Sequence, residues 1–281
     1  MNMKDFLKWV FYSLYYLLLR IWYGERVVYL DCRPHKNNFG DLFNLWLVSE
    51  LSGKKVIKVQ SDYFHGKHMM AAGSIIDHAQ RSTIIWGSGL ISASIEFQSE
   101  LINVRAVRGK LTRQRLIEKG IACPEIYGDP ALLIPILYPR LERHKKIFKL
   151  GVIPHYVDKE HEWISRIKND ENVLIIDIQN ANIFAFIDDV LSCDVIVSSS
   201  LHGLIVADAY QIPNVWIRLT DDVIGGDFKF LDYYSVSDRN PECFSVDSIT
   251  SVYELLKFAD RTNVRENFED LMRVFPFPRA S

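Results

Sequence analysis

Short apolar runs rich in β-branched residues alternate with longer stretches whose apolar positions recur at helical spacing. In the first part of the chain, Arg26–Asp31, Val56–Val59, Ser82–Trp86 and Asn103–Val107 read as strands. Asp41–Leu51 and Gly109–Lys119 read as helices. The first carries Leu42, Leu45, Trp46 and Leu47 on its apolar side, and the second is stopped by Gly120. A polar, charged bridge, Pro139–Lys146, precedes a second series. Its strands are Lys149–Ile153, Val173–Ile178, Asp194–Val197 and Asn214–Arg218, and its helices His161–Lys168, Ile183–Leu191 and Leu201–Tyr210. Residues 247–276 read as helical. This alternation predicts an α/β fold of parallel sheets flanked by helices. The break at the bridge predicts two Rossmann-like domains, 24–145 and 146–245, facing a central cleft, with 246–281 packing back on the core. Ligands of such sheets bind beyond the carboxyl ends of the strands.

Residues 1–23 stand apart. Lys4 and Lys8 lead into an uncharged run, Trp9–Leu19, closed by Arg20-Ile-Trp-Tyr23. That run is shorter than the ~20 apolar residues that cross a bilayer. No small-residue cleavage site follows it. Aromatic rings and flanking basic residues favour the lipid–water boundary. Residues 1–23 therefore read as an amphipathic helix on the inner face of the cytoplasmic membrane. Packing on the protein or at a dimer contact, or a true span, stays open.

Composition narrows the function classes. With 281 residues, 48% apolar and 24% charged, the chain is neither disordered, collagen-like nor polytopic. Lys and Arg number 33 against 35 acids, so no global basic excess points to nucleic acid and any anion site must be local. Cys32, Cys123, Cys193 and Cys243 lie in or beside apolar stretches without a CxxC pair, which predicts buried free thiols in a reducing cytosol. His65-Gly-Lys-His68, with His78 further on, has no Cys or HExxH companion and reads as solvated loop histidines rather than a metal site. No GxGxxG or GxxxxGK[ST] occurs.

The chemistry concentrates at turns. The apolar strand ending Val195-Ile-Val197 runs into Ser198-Ser199-Ser200 and at once into a helix starting Leu201-His202-Gly203. A serine cap leaves backbone N–H groups pointing outward, and the helix start carries roughly half a positive charge, so the turn is an anion site. His202 in that first turn can hold or deliver a proton near neutral pH. At the next junction Arg108 offers a planar fork for carboxylate or phosphate. In Asn37-Asn38-Phe39-Gly40-Asp41 the glycine suits a tight turn and Asp41 can cap a helix, while the amides and carboxylate could read sugar hydroxyls. Gly87-Ser88-Gly89 and Gly128-Asp129-Pro130 are weaker loops. Gly225-Gly226-Asp227-Phe228-Lys229 places Lys229 on a flexible turn as a phosphate partner. Each also has a purely structural reading: a capped helix, a surface basic residue, an Asx turn.

Taken together, NNFGD at 37–41, VRGKLT at 107–112, YGDPALLIP at 127–135, SSSLHGLIVADAYQIPNVW at 198–216 and GGDFKFLDYY at 225–234 resemble the polysaccharide pyruvyl transferase family in order and spacing over about residues 35–235. The resemblance implies a two-domain arrangement similar to GT-B glycosyltransferases. It implies transfer of the enolpyruvyl carbons of phosphoenolpyruvate to a hexose of a bacterial surface polysaccharide, capsule or O-antigen, or its lipid-linked repeat unit. The product is a cyclic pyruvate ketal, and phosphate is released. Many members carry Arg where this chain has Ser200, which shifts anion binding to Arg108, Lys229 or the serine hydroxyls.

On this reading His202 moves protons, with Asp41 the possible base. Arg108, Ser199, Ser200, His202 and Lys229 bind the donor, and Asn37, Asn38, Asp41 and Ser88 face the acceptor. Neither metal nor cofactor is required beyond phosphoenolpyruvate as co-substrate. A nucleotide-sugar glycosyltransferase, with Asp208 or Asp227 on a ribose, is the alternative enzyme. An inactive membrane-associated scaffold is the non-enzymatic one.

Overall fold

The computed structural model describes residues 3–32, 38–97, 103–142, 144–261 and 268–279. Helix α1 (Met3–Tyr23) leads into strand β1 (Val27–Asp31), α2 (Phe39–Ser52), β2 (Lys55–Val59), β3 (His68–Met70), β4 (Thr83–Trp86), β5 (Asn103–Ala106) and α3 (Lys110–Glu118). A short helix α4 (Ile134–Leu137) stands before the second half. That half contains β6 (Phe148–Ile153), α5 (Glu162–Ile167), β7 (Val173–Ile175), α6 (Ile183–Leu191), β8 (Cys193–Ser198), α7 (Leu201–Ala209), β9 (Asn214–Arg218), α8 (Phe228–Tyr234) and β10 (Cys243–Ser245). Helix α9 (Phe268–Arg273) closes the described chain.

The strands form two five-stranded sheets, ordered β2-β1-β3-β4-β5 and β10-β9-β8-β6-β7, with every pairing parallel. Counted within its own half, each sheet has the same order, 2-1-3-4-5. In a doubly wound sheet the chain reverses its winding between the first and third strands, and a crevice opens beyond their carboxyl ends. Here those reversal points are β1/β3 and β6/β8.

Local chemistry sets the elements. Asn38 caps α2 by accepting from the Gly40 N–H (3.1 Å), and the helix stops at Gly53, whose φ of 64° only glycine adopts without strain. The halves share one apolar core. Phe39 of α2 packs on Phe186 of α6 with ring centroids 4.4 Å apart, and Trp46 meets Phe184 edge-on. The C-terminal segment returns to the first half, where Trp86 Nε1 donates to the Leu271 carbonyl (2.8 Å) and its ring meets Phe275.

Several expectations change. Strands β3 and β10, three residues each, carry too few positions for a periodic pattern to register. Residues 247–276 are not one helical stretch: they hold a 3-10 turn at Leu255–Phe258 and α9, with 262–267 outside the described residues. His68 is not a solvated loop histidine. It is buried on β3, its Nδ1 2.8 Å from the Gly66 carbonyl and its Nε2 2.9 Å from Thr83 Oγ1. Cys32, Cys123 and Cys193 are buried and Cys243 half-buried. Burial pushes their thiols up to about 12, 12, 11 and 11, so they stay protonated and inert.

Helix α1 is apolar on two sides. Tyr12, Tyr16, Leu19 and Tyr23 pack with Tyr29, Tyr63 and Phe64, while Leu7, Phe11, Leu14, Leu18, Ile21 and Trp22 face outward and exposed. Among the described residues no helix is long and apolar enough to cross a membrane.

Candidate active site

The two reversal points face one another across a cavity of about 340 Å³. From the first half, Asn38, Gly40 and Asp41 follow β1, and Gly73 and Ser74 follow β3. From the second, His155 follows β6, Ser200 and His202 follow β8, and Lys229 arrives on α8. Of the residues that sequence reasoning drew from opposite halves, Asn38, Asp41, Ser200, His202 and Lys229 therefore meet.

His202 sits at the base of this cavity. Its ring lies so close to Gly40 that a β-carbon at position 40 would land on the imidazole, and Phe43 meets the ring edge-on at 5.9 Å. Behind it stands Asp129, fully buried, with Oδ1 accepting from the Ala131 N–H (2.9 Å). Asp129 Oδ2 and His202 Nε2 face each other at 3.9 Å, and neither has a hydrogen-bond partner. Two buried polar atoms left unsatisfied side by side are costly, and such pairs concentrate where function requires them.

Their titration follows from the surroundings. Burial, with help from the Arg108 and Lys229 charges, drives His202 down to about 3, so the resting ring is neutral. Burial raises Asp129 to about 6, against the opposing pull of the Ala131 N–H and Arg108. Burial also lowers Lys229 to about 8, with Arg108 adding to the shift. His155 falls to about 3 through burial and the Lys229 charge. The cavity thus brings together a buried ammonium, which Asp158 partly offsets, and two neutral imidazoles, a set of strongly shifted groups of the kind that marks functional sites.

Other expected residues take different places. Lys229 is not on a flexible turn; it lies in α8, 7% exposed. Arg108 does not line the cavity. Its guanidinium is buried one layer behind, with Nε on Asp232 Oδ2 (2.9 Å), Nη1 on Ser74 Oγ (2.5 Å) and Nη2 on the Leu90 carbonyl (2.8 Å). Asp232 also accepts from the Thr112 amide (2.8 Å) and hydroxyl (2.7 Å), so this cluster binds α8 of the second half to the first. Gly109 makes the approach possible, because a β-carbon there would strike the Asp232 backbone.

The three serines divide their work. Ser198 Oγ accepts from the Ser200 N–H (3.0 Å). Ser199 Oγ donates to Asp158 (2.7 Å) and accepts from the His155 amide (2.8 Å), and of the three only Ser200 lines the cavity. Ser200 stands at the N-cap of α7 without a side-chain capping bond. Ser88 is buried, with its hydroxyl on the Ala71 carbonyl. Asn38 rather than Asp41 caps α2, leaving Asp41 in the first turn on the cavity wall. Asn37 lies outside the described residues. Asp208 sits in a buried network with Tyr233 (2.9 Å) and Asn214 (2.5 Å), and Asp227 pairs with Arg218 (2.5 Å), so neither is set out for a ribose.

Sequence reasoning missed Asp129 and His155. The turn Gly128-Asp129-Pro130 was the sole signal for the first. Nothing local marked the second, a histidine just past a strand end.

A family model described as polysaccharide pyruvyl transferase matches residues 6–221. The chain belongs to the polysaccharide pyruvyl transferase family. It is a pyruvyltransferase, with a pyruvyl-transfer role in polysaccharide biosynthesis. Among its relatives is an uncharacterised protein of Acanthamoeba polyphaga mimivirus, 35% identical over 227 residues, 75% of either chain. Another is the succinoglycan biosynthesis protein ExoV of Rhizobium meliloti, 27% identical over 203 residues, which are 70% of this chain and 60% of ExoV. A solved structure of a functionally uncharacterised Klebsiella pneumoniae protein aligns over 88% of this chain and 99% of its own, at 15% identity and a TM-score of 0.45.

Proposed function

We propose that this pyruvyl transferase takes its three-carbon unit from phosphoenolpyruvate and closes it as a cyclic ketal on two hydroxyls of a hexose, in a bacterial surface polysaccharide or its lipid-linked repeat unit. The observation that carries this reading is the unpartnered His202–Asp129 pair beneath a cavity whose buried cation is Lys229. The facing halves correspond to a GT-B-like arrangement, with donor and acceptor meeting between them.

Phosphoenolpyruvate brings a carboxylate and a phosphate on one small frame. Lys229 and the α7 N-terminus at Ser200 receive the phosphate, and Arg108 adds its field from behind the wall through Ser74. The incoming negative charge offsets the cations that hold His202 neutral, so its imidazole takes up a proton, and ionised Asp129 stabilises the imidazolium.

His202 delivers that proton to the methylene carbon, making the neighbouring carbon electrophilic. A sugar hydroxyl adds there and gives up its proton to the base; the C–O bond to phosphate breaks, and a second hydroxyl closes the ring. One hydroxyl proton replaces the one placed on carbon and the other leaves on hydrogen phosphate, so the balance closes without a redox partner. Asp41 and Asn38, on the first-half wall, are the acceptor-side groups, Asp41 serving as base.

The test incubates purified protein with phosphoenolpyruvate and a synthetic hexoside, reading phosphate release together with the mass gain of the sugar. Release without mass gain would refute transfer. Stabilisation by UDP but not by phosphoenolpyruvate in a thermal shift would refute the donor. Lys229→Met raises the donor KM roughly 10-fold or more, the scale of a lost hydrogen bond to a charged group. In the unaltered enzyme the donor KM climbs as pH rises through about 8, where Lys229 loses its charge. A KM that is flat across that range would remove Lys229 from donor binding.

A further inference from the structure

The outward face of α1 is a continuous apolar stripe. Leu7, Phe11, Leu14, Leu18, Ile21 and Trp22 recur at three- and four-residue spacing, each between 56% and 73% exposed. Contiguous apolar surface of this kind marks an interaction site. The inner face is already occupied by Tyr29, Tyr63 and Phe64.

Two hollows flank the helix and share Leu17 and Arg20 in their walls. One, about 370 Å³, is closed by Trp9, Tyr63 and Phe64. The other, about 530 Å³, gathers Arg20 of α1, Lys54 before β2 and Lys67 before β3. Glu25 is the one carboxylate among its described lining residues, and no ion pair joins the three cations to a described acid. Arg20 rests over the Phe64 ring (6.0 Å) and Lys67 over Phe277 (5.8 Å), so the charged tips are carried on apolar supports. The whole chain is slightly acidic, at −2, which makes this concentration of cations local.

We propose that this face docks on an anionic phospholipid leaflet: the α1 stripe lies at the depth of the upper acyl chains, and the Arg20–Lys54–Lys67 hollow seats a lipid phosphate headgroup. Charge complementarity selects the occupant. A second copy laid on the same stripe would bring the same three cations, with Glu25 the one carboxylate among the described lining residues to meet them. A neutral apolar partner would leave the hollow empty. Trp22, at the carboxyl end of the helix and exposed with the stripe, suits the headgroup boundary. The inference stands on α1 and its flanks alone and does not depend on the reaction proposed above.

The full chain is tested by flotation with phosphatidylcholine vesicles, with and without phosphatidylglycerol, and by light scattering in their absence. The chain is expected to float with phosphatidylglycerol vesicles, to do so far less with phosphatidylcholine alone, and to be released by high salt. Lys54→Gln with Lys67→Gln lowers partitioning onto anionic vesicles roughly 30-fold, from about 1 kcal/mol per basic residue at such a surface. These residues lie outside the catalytic cavity, so turnover on a soluble acceptor stays unchanged in that variant. Leu14→Ser with Leu18→Ser abolishes flotation while circular dichroism shows the fold retained. No flotation with either vesicle overturns the proposal, as does equal binding to both that ignores the lysine changes. A stable dimer that Leu18→Ser dissolves, with no vesicle binding, assigns the stripe to a second copy and overturns it too. Vesicle binding by a chain with no transferase activity would refute the reaction and leave this docking intact.

Discussion

The two halves share one strand order and serve the site in different ways. The second supplies basic and imidazole side chains, His155, His202 and Lys229, gathered at the ends of β6 and β8 and on α8. The first supplies shape, with Gly40 leaving room for an imidazole and Gly73 and Ser74 forming wall, while Asp129 backs the histidine from behind. The two reversal points have the same topology but differ in residue size and polarity. A repeated fold can thus furnish its two halves differently by composition alone, the second bringing histidines and a lysine and the first carboxylates and glycines.

Removing the reactive side has the largest expected effect. His202→Gln, which keeps the ring's approximate volume, lowers turnover by ~10²–10⁴-fold, the worth of a positioned acid–base group, without lowering the melting temperature. Near-normal kcat would transfer the chemistry out of the second half. Severing the link between the halves comes next. Arg108→Met strips the partner from fully buried Asp232 and costs about 3–5 kcal/mol in urea unfolding. A change within 0.5 kcal/mol, the usual scatter of surface substitutions, would mean that water reaches Asp232.

A subtler alteration tests the first half. Gly40→Ala puts a methyl where the His202 ring now lies, so the ring must move. Displacement on the ångström scale costs ~10²-fold in kcat. Full activity in Gly40→Ala would show that the first half tolerates crowding and that its glycine is incidental.

The smallest effects are slopes with pH. Asp129 titrates higher in the fold than the usual carboxylate, so its contribution to stability is present below about pH 4 and lost as pH rises through about 6. His202 titrates lower, so its contribution is present above about pH 6.5 and lost as pH falls towards 3. The two slopes oppose each other in the wild type. Relative to it, Asp129→Asn gains melting temperature as pH rises from about 4 to 6, and His202→Gln gains it as pH falls below about 6.5. Parallel curves for the variants and the wild type would show that the pair is not buried as described.

Legibility followed the range of the interactions. Strands β1, β4, β6, β8 and β9 announce themselves by short runs rich in apolar residues, and α7 by three serines at its threshold, because those signals lie within a few residues. Helix α8, only seven residues long, was hidden behind the glycines before it, so Lys229 looked mobile when it is buried. The pairing of Arg108 with Asp232 spans 124 positions, and no local pattern encodes it. Spacing alone placed the arginine at a strand end and invited a ligand for it; the fold had already supplied a carboxylate. The converse holds for Asp129, whose turn looked ordinary until its orphaned oxygen was found opposite an equally orphaned nitrogen.

The Arg108–Asp232 contact also ties the two halves together. Both side chains are wholly withdrawn from solvent and belong to opposite halves, so prying the halves apart would break the ion pair and hand both charges to water. Any opening of the cavity that parts α8 from the first half has first to break this pair.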